Sequence, residues 1–377
     1  MMKLPCFHLS LEDDMDRFIR QYSLNGFGLE KQQKLASAKI LVVGAGGLGC
    51  PALLYLAAAG IGHIGVADGD QVSLSNLNRQ VIFGEQDLGK PKVEVVQSYF
   101  SKKYSDLQIE IYPFYLTQEN SLDIISRYDV VIDGSDNFQT RYMVNDACYL
   151  LEKPLIMGSI FQNEGQVSVL NGKGKTCPNY RDIFPEPPEA HEVPNCSETG
   201  VLGVLPGIIG TFQAAEAIKL LAGFGQTLSG KLLVYDLLSQ ISNVFDVGIN
   251  EASRALIPKS EKEFLEMDYS LSCGTVQEIS WDNAVEMLTQ QDNLLVDIRE
   301  DHEQPKIKEI EHMKIPMAEV ETKLDQFAQQ DRILICCQSG IRSLKTAQKL
   351  SGQLIGKEFY SVKGGVNALP EKYLHND

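Results

Sequence analysis

Two sets of residues in this chain have the types and spacing of reactive chemistry. Gly44, Gly46, Gly47 and Gly49 lie in Lys39-Ile-Leu-Val-Val-Gly-Ala-Gly-Gly-Leu-Gly49. At the G-x-G-x-x-G spacing, glycines let backbone approach a phosphate and let a helix pack closely behind it. Asp68, in Asp68-Gly-Asp70, is placed to receive ribose hydroxyls, with Asp70 grouped among the nucleotide-binding residues, and Asn76, Arg79 and Lys92 could converge on phosphates from strand ends. The same cations would also suit a solvated loop. Asp136, in Asp133-Gly-Ser-Asp-Asn137, could hold a Mg²⁺ ion that bridges phosphates, or could cap a helix. The second set is Cys337-Gln-Ser-Gly-Ile-Arg342. A loop that curls its amides around a sulfur, with an arginine before the next helix, stabilises a thiolate or persulfide anion.

Periodicity sets the strands and helices that carry these residues. Ile40 to Val43 read as a strand buried on both faces, and Leu48 to Ala59 as the helix behind the glycines, with Pro51 in its first turn and Gly60 at its end. Strands at Ile61 to Ala67, Gln108 to Leu116 and Asp129 to Asp133 alternate with helices at Lys92 to Lys103 and Gln118 to Arg127. The pattern predicts an α/β fold, a Rossmann-like doubly wound sheet. From Leu155 the strands run without intervening helices, an antiparallel extension, followed by a long loop rich in proline and charge and a helix near Gly207 to Leu221. Residues 1–248 form one expected domain, 249–276 a linker with a short helix, and 277–377 a smaller α/β domain.

Composition narrows the partners. The 377 residues are 44% hydrophobic and 22% charged, ordinary for globular protein, and the net charge of −16 argues against nucleic acid or an anionic membrane surface. The longest apolar runs are interrupted before about 20 residues, and the acidic N-terminus does not resemble a signal peptide. Eight irregularly spaced cysteines suit a reducing compartment, so a cytoplasmic location is expected. A dinucleotide is largely satisfied by glycine-loop amides, whereas the several cations following this loop suit the greater charge of ATP.

Arg20-Gln21, Gly44 to Gly49, Asp68-x-Asp70, Ser75-Asn-Leu-Asn-Arg-Gln80, Gly89-x-Pro-Lys92 and Asp133 to Asn137 together resemble the MoeB/ThiF family over residues 17–247. The resemblance implies an ATP- and Mg²⁺-dependent adenylyltransferase. Its partner would be a ubiquitin-like sulfur-carrier protein whose C-terminal Gly-Gly carboxylate attacks the α-phosphate. It further implies a homodimer in which Arg20 reaches the other subunit's triphosphate, and a cysteine, here Cys196, able to bond the carrier. Many relatives hold zinc with two Cys-x-x-Cys pairs, but the matching stretches here keep only Cys177 and Cys273, so no zinc site is expected.

Cys337-x4-Arg342, with Asp297-Ile-Arg299 before it and Gly364-Gly365 after it, is similar to the rhodanese sulfurtransferases. Cys336-x5-Arg342 would be the larger loop of a cysteine phosphatase, but periodicity places Cys336 at the end of a buried strand. The combined expectation is carrier adenylylation followed by sulfur transfer from a Cys337 persulfide, with a donor such as a cysteine desulfurase. Molybdopterin and thiamin biosynthesis are the pathways the resemblance suggests. The alternatives are a nicotinamide or flavin oxidoreductase fused to a thiol domain, and a non-catalytic carrier-binding scaffold.

Overall fold

A computed structural model describes residues 17–172, 176–187, 200–269, 276–289, 293–327, 330–353 and 357–375. The chain forms two compact units, the first extending to Tyr269 and the second following it. In the first, eight strands make one sheet: β1 (Lys39–Val43), β2 (His63–Ala67), β3 (Gln108–Tyr112), β4 (Val130–Asp133), β5 (Leu155–Phe161), β6 (Glu164–Leu170), β7 (Lys231–Asp236) and β8 (Ile241–Asp246). Their order is β3-β2-β1-β4-β5-β6-β7-β8. The strands through β5 pair in parallel and the rest antiparallel, as the sequence pattern predicts. The order reverses at β1 and β4, so a crevice opens beyond their carboxyl ends, where both the glycine turn and Asp133-Gly134 leave the sheet.

Helix α1 (Ile19–Tyr22), α2 (Gly28–Ser37), α3 (Gly49–Ala58), α4 (Lys92–Lys103), α5 (Gln118–Ser126), α6 (Phe138–Leu150) and α7 (Val204–Ala222) supply the main helical layers. Helix α7 is long and apolar enough to cross a bilayer, yet it packs on α3 and β5 with Ile209, Gln213, Ala214 and Ala217 fully buried. Strand β3 stops at Tyr112, four residues before its expected end. Pro113 has no N–H to give a ladder, and Phe114 to Leu116 turn away as a loop that reaches the site.

The expected linker is a correction. Residues 250–269 pack onto the first unit, with Asn250 and Ser260 capping the short helices Glu251–Arg254 and Glu261–Glu266. Phe264 is fully buried, the Tyr269 hydroxyl donates to Asp146 at 2.8 Å, and Gln118 Nε2 donates to the carbonyls of Phe264 and Met267. Two isolated aromatics in a charged stretch have no amphipathic period, so sequence alone does not reveal the docking. Residues 270–275 lie outside the described residues.

The second unit has a five-stranded parallel sheet of β9 (Gln277–Ile279), β10 (Asn293–Asp297), β11 (Met313–Lys314), β12 (Arg332–Cys336) and β13 (Glu358–Val362), ordered β9-β13-β12-β10-β11. Helix α8 (Ile341–Gln353) follows β12. Between β11 and β12 the chain makes a pair of 3₁₀ turns over Met317–Phe327, kinked at Lys323.

Phe264→Ala is expected to cost about 3–5 kcal/mol, read as a lowered denaturation midpoint of the first unit. A free linker would lose nothing on the same substitution.

Candidate active sites

Backbone contact builds the first site. Gly44 has φ +90° and donates its N–H to Ala67 O at 2.8 Å. A Cβ at Gly44 would lie 2.9 Å from Gly134 O, and one at Gly49 would lie 1.9 Å from Gly44 O. A side chain at Gly49 would push helix α3 off the turn, and one at Gly44 would push away the loop after β4. The turn therefore closes on the β4 loop as well as on its own helix. Gly134 is a member of this contact that sequence spacing did not single out. Gly203 makes a separate close approach that spacing did not single out, since a Cβ there would meet Asn78 O at 2.0 Å. It caps helix α7, whose Pro206 would lie 3.1 Å from a Cβ at Gly47.

Asp68 lies under this turn. Its Oδ2 accepts the Ala45 N–H at 2.7 Å and its Oδ1 the Asp70 N–H at 2.8 Å, with 7% of the residue exposed. Burial pushes its pKa up, against the opposing pull of Lys92 and the two amides. Lys92, itself buried, donates to Asp70 Oδ2 at 2.7 Å and sits 4.0 Å from Asp68. The Tyr115 hydroxyl bonds the other Asp70 oxygen. Burial works against the Asp70 charge, but the bonds from Lys92 and Tyr115 outweigh it and hold the carboxyl below its usual range. Asp70, grouped with the nucleotide ligands from sequence, is thus the residue that holds Lys92.

Arg79 is half-buried and donates from Nη1 to Ser75 O at 2.8 Å and Asn78 Oδ1 at 3.0 Å. Asn76 Oδ1 accepts the Ser73 N–H, which fixes the turn before Arg79. Gln80 is buried beside Gly46, and its Oε1 has no partner among the described residues. An orphaned buried amide against a phosphate-binding turn fits a site awaiting a polar ligand.

Asp136 is exposed just past β4. Asn137, and not Asp136, caps helix α6 by accepting the Thr140 N–H at 2.8 Å, which removes the capping alternative for Asp136. The bond to Asp70, burial and the negative charges of Asp70, Asp68 and Asp136 together raise the pKa of the Tyr115 hydroxyl. Hard oxygen donors of this kind suit Mg²⁺, which completes its shell with water and phosphate oxygens. Among the described residues no group of three or more His, Cys, Asp and Glu side chains forms a metal cage on its own.

Arg20 is exposed on α1. Its neighbour Gln21 donates to Gln32 Oε1 at 2.7 Å and to Ala59 O at 3.0 Å, just past the C-terminal end of α3. Ten residues of helix separate that end from the glycine turn, a span of about 15 Å. Within one chain, the structure does not bring Arg20 to the other site residues.

The cysteines separate by environment. Cys50 and Cys148 are buried in the core, and burial pushes the Cys50 thiol up to about 12. Cys177 contacts Ser229 Oγ at 3.1 Å, while Arg254 donates to the Cys177 carbonyl at 2.7 Å and pairs with Asp182. Cys196 and Cys273 lie outside the described residues.

In the second unit Cys336 ends β12 opposite Asp297. Burial, with the Asp297 charge, raises its pKa well above the thiol range. Cys337, one residue on, turns into the loop. Its Sγ accepts the N–H of Gly340 at 3.1 Å and of Ser343 at 3.3 Å, with Ser343 Oγ 3.5 Å away. Burial alone would raise the Cys337 pKa, but the Ser343 hydroxyl and the amides of Ser343, Ser339 and Gly340 outweigh it and lower it. The loop is held by glycines: Gly340 has φ +90°, and a Cβ at Gly365 would lie 2.1 Å from Cys337 O. Trp281 Nε1 fixes Gly365 by donating to its carbonyl at 2.7 Å. Arg342 forks onto Glu303, whose carboxylate is the main cause of its raised pKa.

Two anion environments, one suited to phosphate and one to a sulfur anion, define a class of enzyme that handles an activated group and a thiol. The chain belongs to the ThiF family, whose model matches residues 18–255, and it carries a rhodanese-like domain matched over residues 280–372. This membership displaces the oxidoreductase alternative. A protein of Thermus thermophilus named sulfur carrier protein adenylyltransferase is 45% identical over 70% of this chain and 98% of its own length. A protein of Drosophila persimilis named adenylyltransferase and sulfurtransferase MOCS3 is 35% identical over 94% of this chain and 83% of its own. In fold, the first unit is similar to Escherichia coli MccB solved with ATP, at TM-score 0.54 and 23% identity over 62% of this chain and 72% of that one.

The lowered pKa of Cys337 carries a sign: its thiolate persists to lower pH than that of a free cysteine. Alkylation of Cys337, followed by peptide mass spectrometry, is expected to rise through a midpoint below about 8.5, with Cys336 unreactive across that range. A midpoint above the free-cysteine value would contradict the amide cradle.

Proposed function

We propose that the first unit uses ATP and Mg²⁺ to adenylylate the C-terminal Gly-Gly carboxylate of a small ubiquitin-like sulfur-carrier protein, and that the second delivers sulfur to it. The carrying observation is that one chain holds both a glycine turn flanked by Lys92, Arg79 and Asp136 and an amide-ringed thiol of lowered pKa at Cys337. The names of the relatives, which pair adenylyltransferase with sulfurtransferase, support the same reading.

In this reading a carrier carboxylate oxygen attacks the α-phosphorus, the α–β anhydride bond breaks, and pyrophosphate leaves. The N-terminal end of α3, Lys92 and Arg79 bear the phosphate charge. Moving Lys92 onto a phosphate requires Asp70 to release it, and the Tyr115 hydroxyl keeps Asp70 bonded when that happens. Mg²⁺ at Asp136 would supply the charge that draws pyrophosphate away. The terminal sulfur of a Cys337 persulfide then attacks the acyl carbon and AMP leaves. Cys196 thiolate attacks the Cys337 sulfur of the resulting acyl disulfide, which releases thiocarboxylate and leaves a Cys196–Cys337 disulfide for an external thiol to reduce. The persulfide itself would come from a protein donor such as a cysteine desulfurase.

The position of Arg20, about one helix length from the glycine turn, supports its acting on the site of a second copy, in a cytoplasmic homodimer. Molybdopterin and thiamin synthesis are the pathways in which such carriers serve.

ATP–pyrophosphate exchange with a Gly-Gly-ended carrier tests the scheme. Asp136→Ala is expected to lose exchange by at least ~100-fold, whereas Cys337→Ala keeps exchange and loses thiocarboxylate formation. A scaffold would show no exchange to lose. Mixing Arg20→Ala with Asp136→Ala protein should restore exchange that neither shows alone, because one site of the mixed dimer is then intact.

A further inference from the structure

The Cys337 loop carries one cation of its own, Arg342, and the structure does not leave it to an incoming anion. Arg342 Nη1 donates to Glu303 Oε1 at 2.9 Å and Nη2 to Glu303 Oε2, a two-pronged pair. Glu303 is held in place by the Glu300 N–H, which donates to the same Oε1 at 2.8 Å. The second guanidinium at the loop is also committed. Arg299 is fully buried, forks onto Asp297, and donates from Nη1 to Gln338 Oε1 at 3.1 Å. Gln338 spends its amide on Asn367 Oδ1 at 2.7 Å, so loop position 338 is neutral and fixed. Glu300-Asp301-His302-Glu303 adds three carboxylates within four residues, in a chain of net charge −16.

From this pairing we infer that Glu303 is a specificity-determining positioning residue. It occupies the Arg342 guanidinium and so selects against dianionic sulfur donors such as thiosulfate, in favour of donors that present sulfane sulfur with less charge, such as a protein persulfide. The inference rests on the sulfur-transfer reading above and names the charge class that site admits. With thiosulfate, Cys337 thiolate attacks the sulfane sulfur, the S–S bond breaks, and sulfite leaves with the electron pair. The dianion must be met by positive charge as it approaches, and that charge is already engaged by Glu303. A donor persulfide transfers sulfur by the same displacement and releases a thiolate, with one negative charge fewer than sulfite.

The test uses the full-length protein and reads charge selection apart from turnover. Iodoacetate, an anion, and iodoacetamide, a neutral isostere, compete for Cys337, and the labelled peptide is quantified by mass spectrometry. Relative to free cysteine, the wild-type protein is expected to favour iodoacetamide. Glu303→Gln should shift the ratio toward iodoacetate by roughly two- to fivefold, and Glu303→Asp, which keeps the charge, should restore the wild-type ratio. In thiosulfate:cyanide assays Glu303→Gln should lower KM for thiosulfate by a similar factor, with a smaller effect on kcat. A wild-type preference for iodoacetate, or a Glu303→Gln protein that slows both reagents equally, would overturn the inference. Should Glu303→Gln not fold, the wild-type ratio still decides. Absence of sulfur transfer with any donor would refute the functional reading while leaving the alkylation ratio to judge Glu303.

Discussion

The first unit depends on a contact in which no side chain takes part. Gly44, Gly49 and Gly134 bring three backbone segments so close that a single methyl group at Gly49 would overlap the Gly44 carbonyl at 1.9 Å. That approach sets the N-terminus of α3 against the carboxyl ends of β1 and β4. Everything polar at the site is registered from it. Asp68 bonds the Ala45 amide inside the turn, Asp70 bonds Asp68 through its own amide, and Lys92 bonds Asp70. A shift of the turn would pass along this chain to the lysine.

The two units answer one electrostatic problem in two ways. Each must hold an anion with amides before bringing cations to bear. At the glycine turn the anion is a mobile ligand of high charge, and the side chains that would meet it come from separate segments, each restrained by a carboxylate or a carbonyl. At Cys337 the anion is part of the chain, so a short ring of amides suffices to lower the thiol pKa against the cost of burial. The neighbouring Cys336 shows what burial does without that ring, since its pKa moves the other way.

Carboxylate partners recur as restraints on cations: Asp70 on Lys92, Asp133 on Arg141, Asp182 on Arg254, Asp297 on Arg299 and Glu303 on Arg342. A buried or half-buried guanidinium without a partner would be costly, and a paired one keeps a single orientation. At Lys92 and Arg342 the cation stands at a candidate site with its charge already engaged, so a ligand must compete for it.

Local pattern makes part of this legible in the sequence. The Ile40 to Val43 run, the glycine spacing, Asp68, Lys92 and the choice of Cys337 over Cys336 all follow from period and spacing, because a strand's alternation and a turn's glycines are written in adjacent residues. What tertiary structure alone decided are contacts between residues far apart in sequence. Gly134 and Gly203 matter through backbone atoms they touch, Tyr115 bonds Asp70 across 45 positions, Glu303 holds Arg342 across 39, and Phe264 anchors a stretch that reads as linker. None of these pairings leaves a periodic trace, since a side chain's partner is set by how strands and loops converge in space. Adjacent residues therefore mark groups suited to phosphate and sulfur, while the fold sets which of them are held, by what, and against which charge.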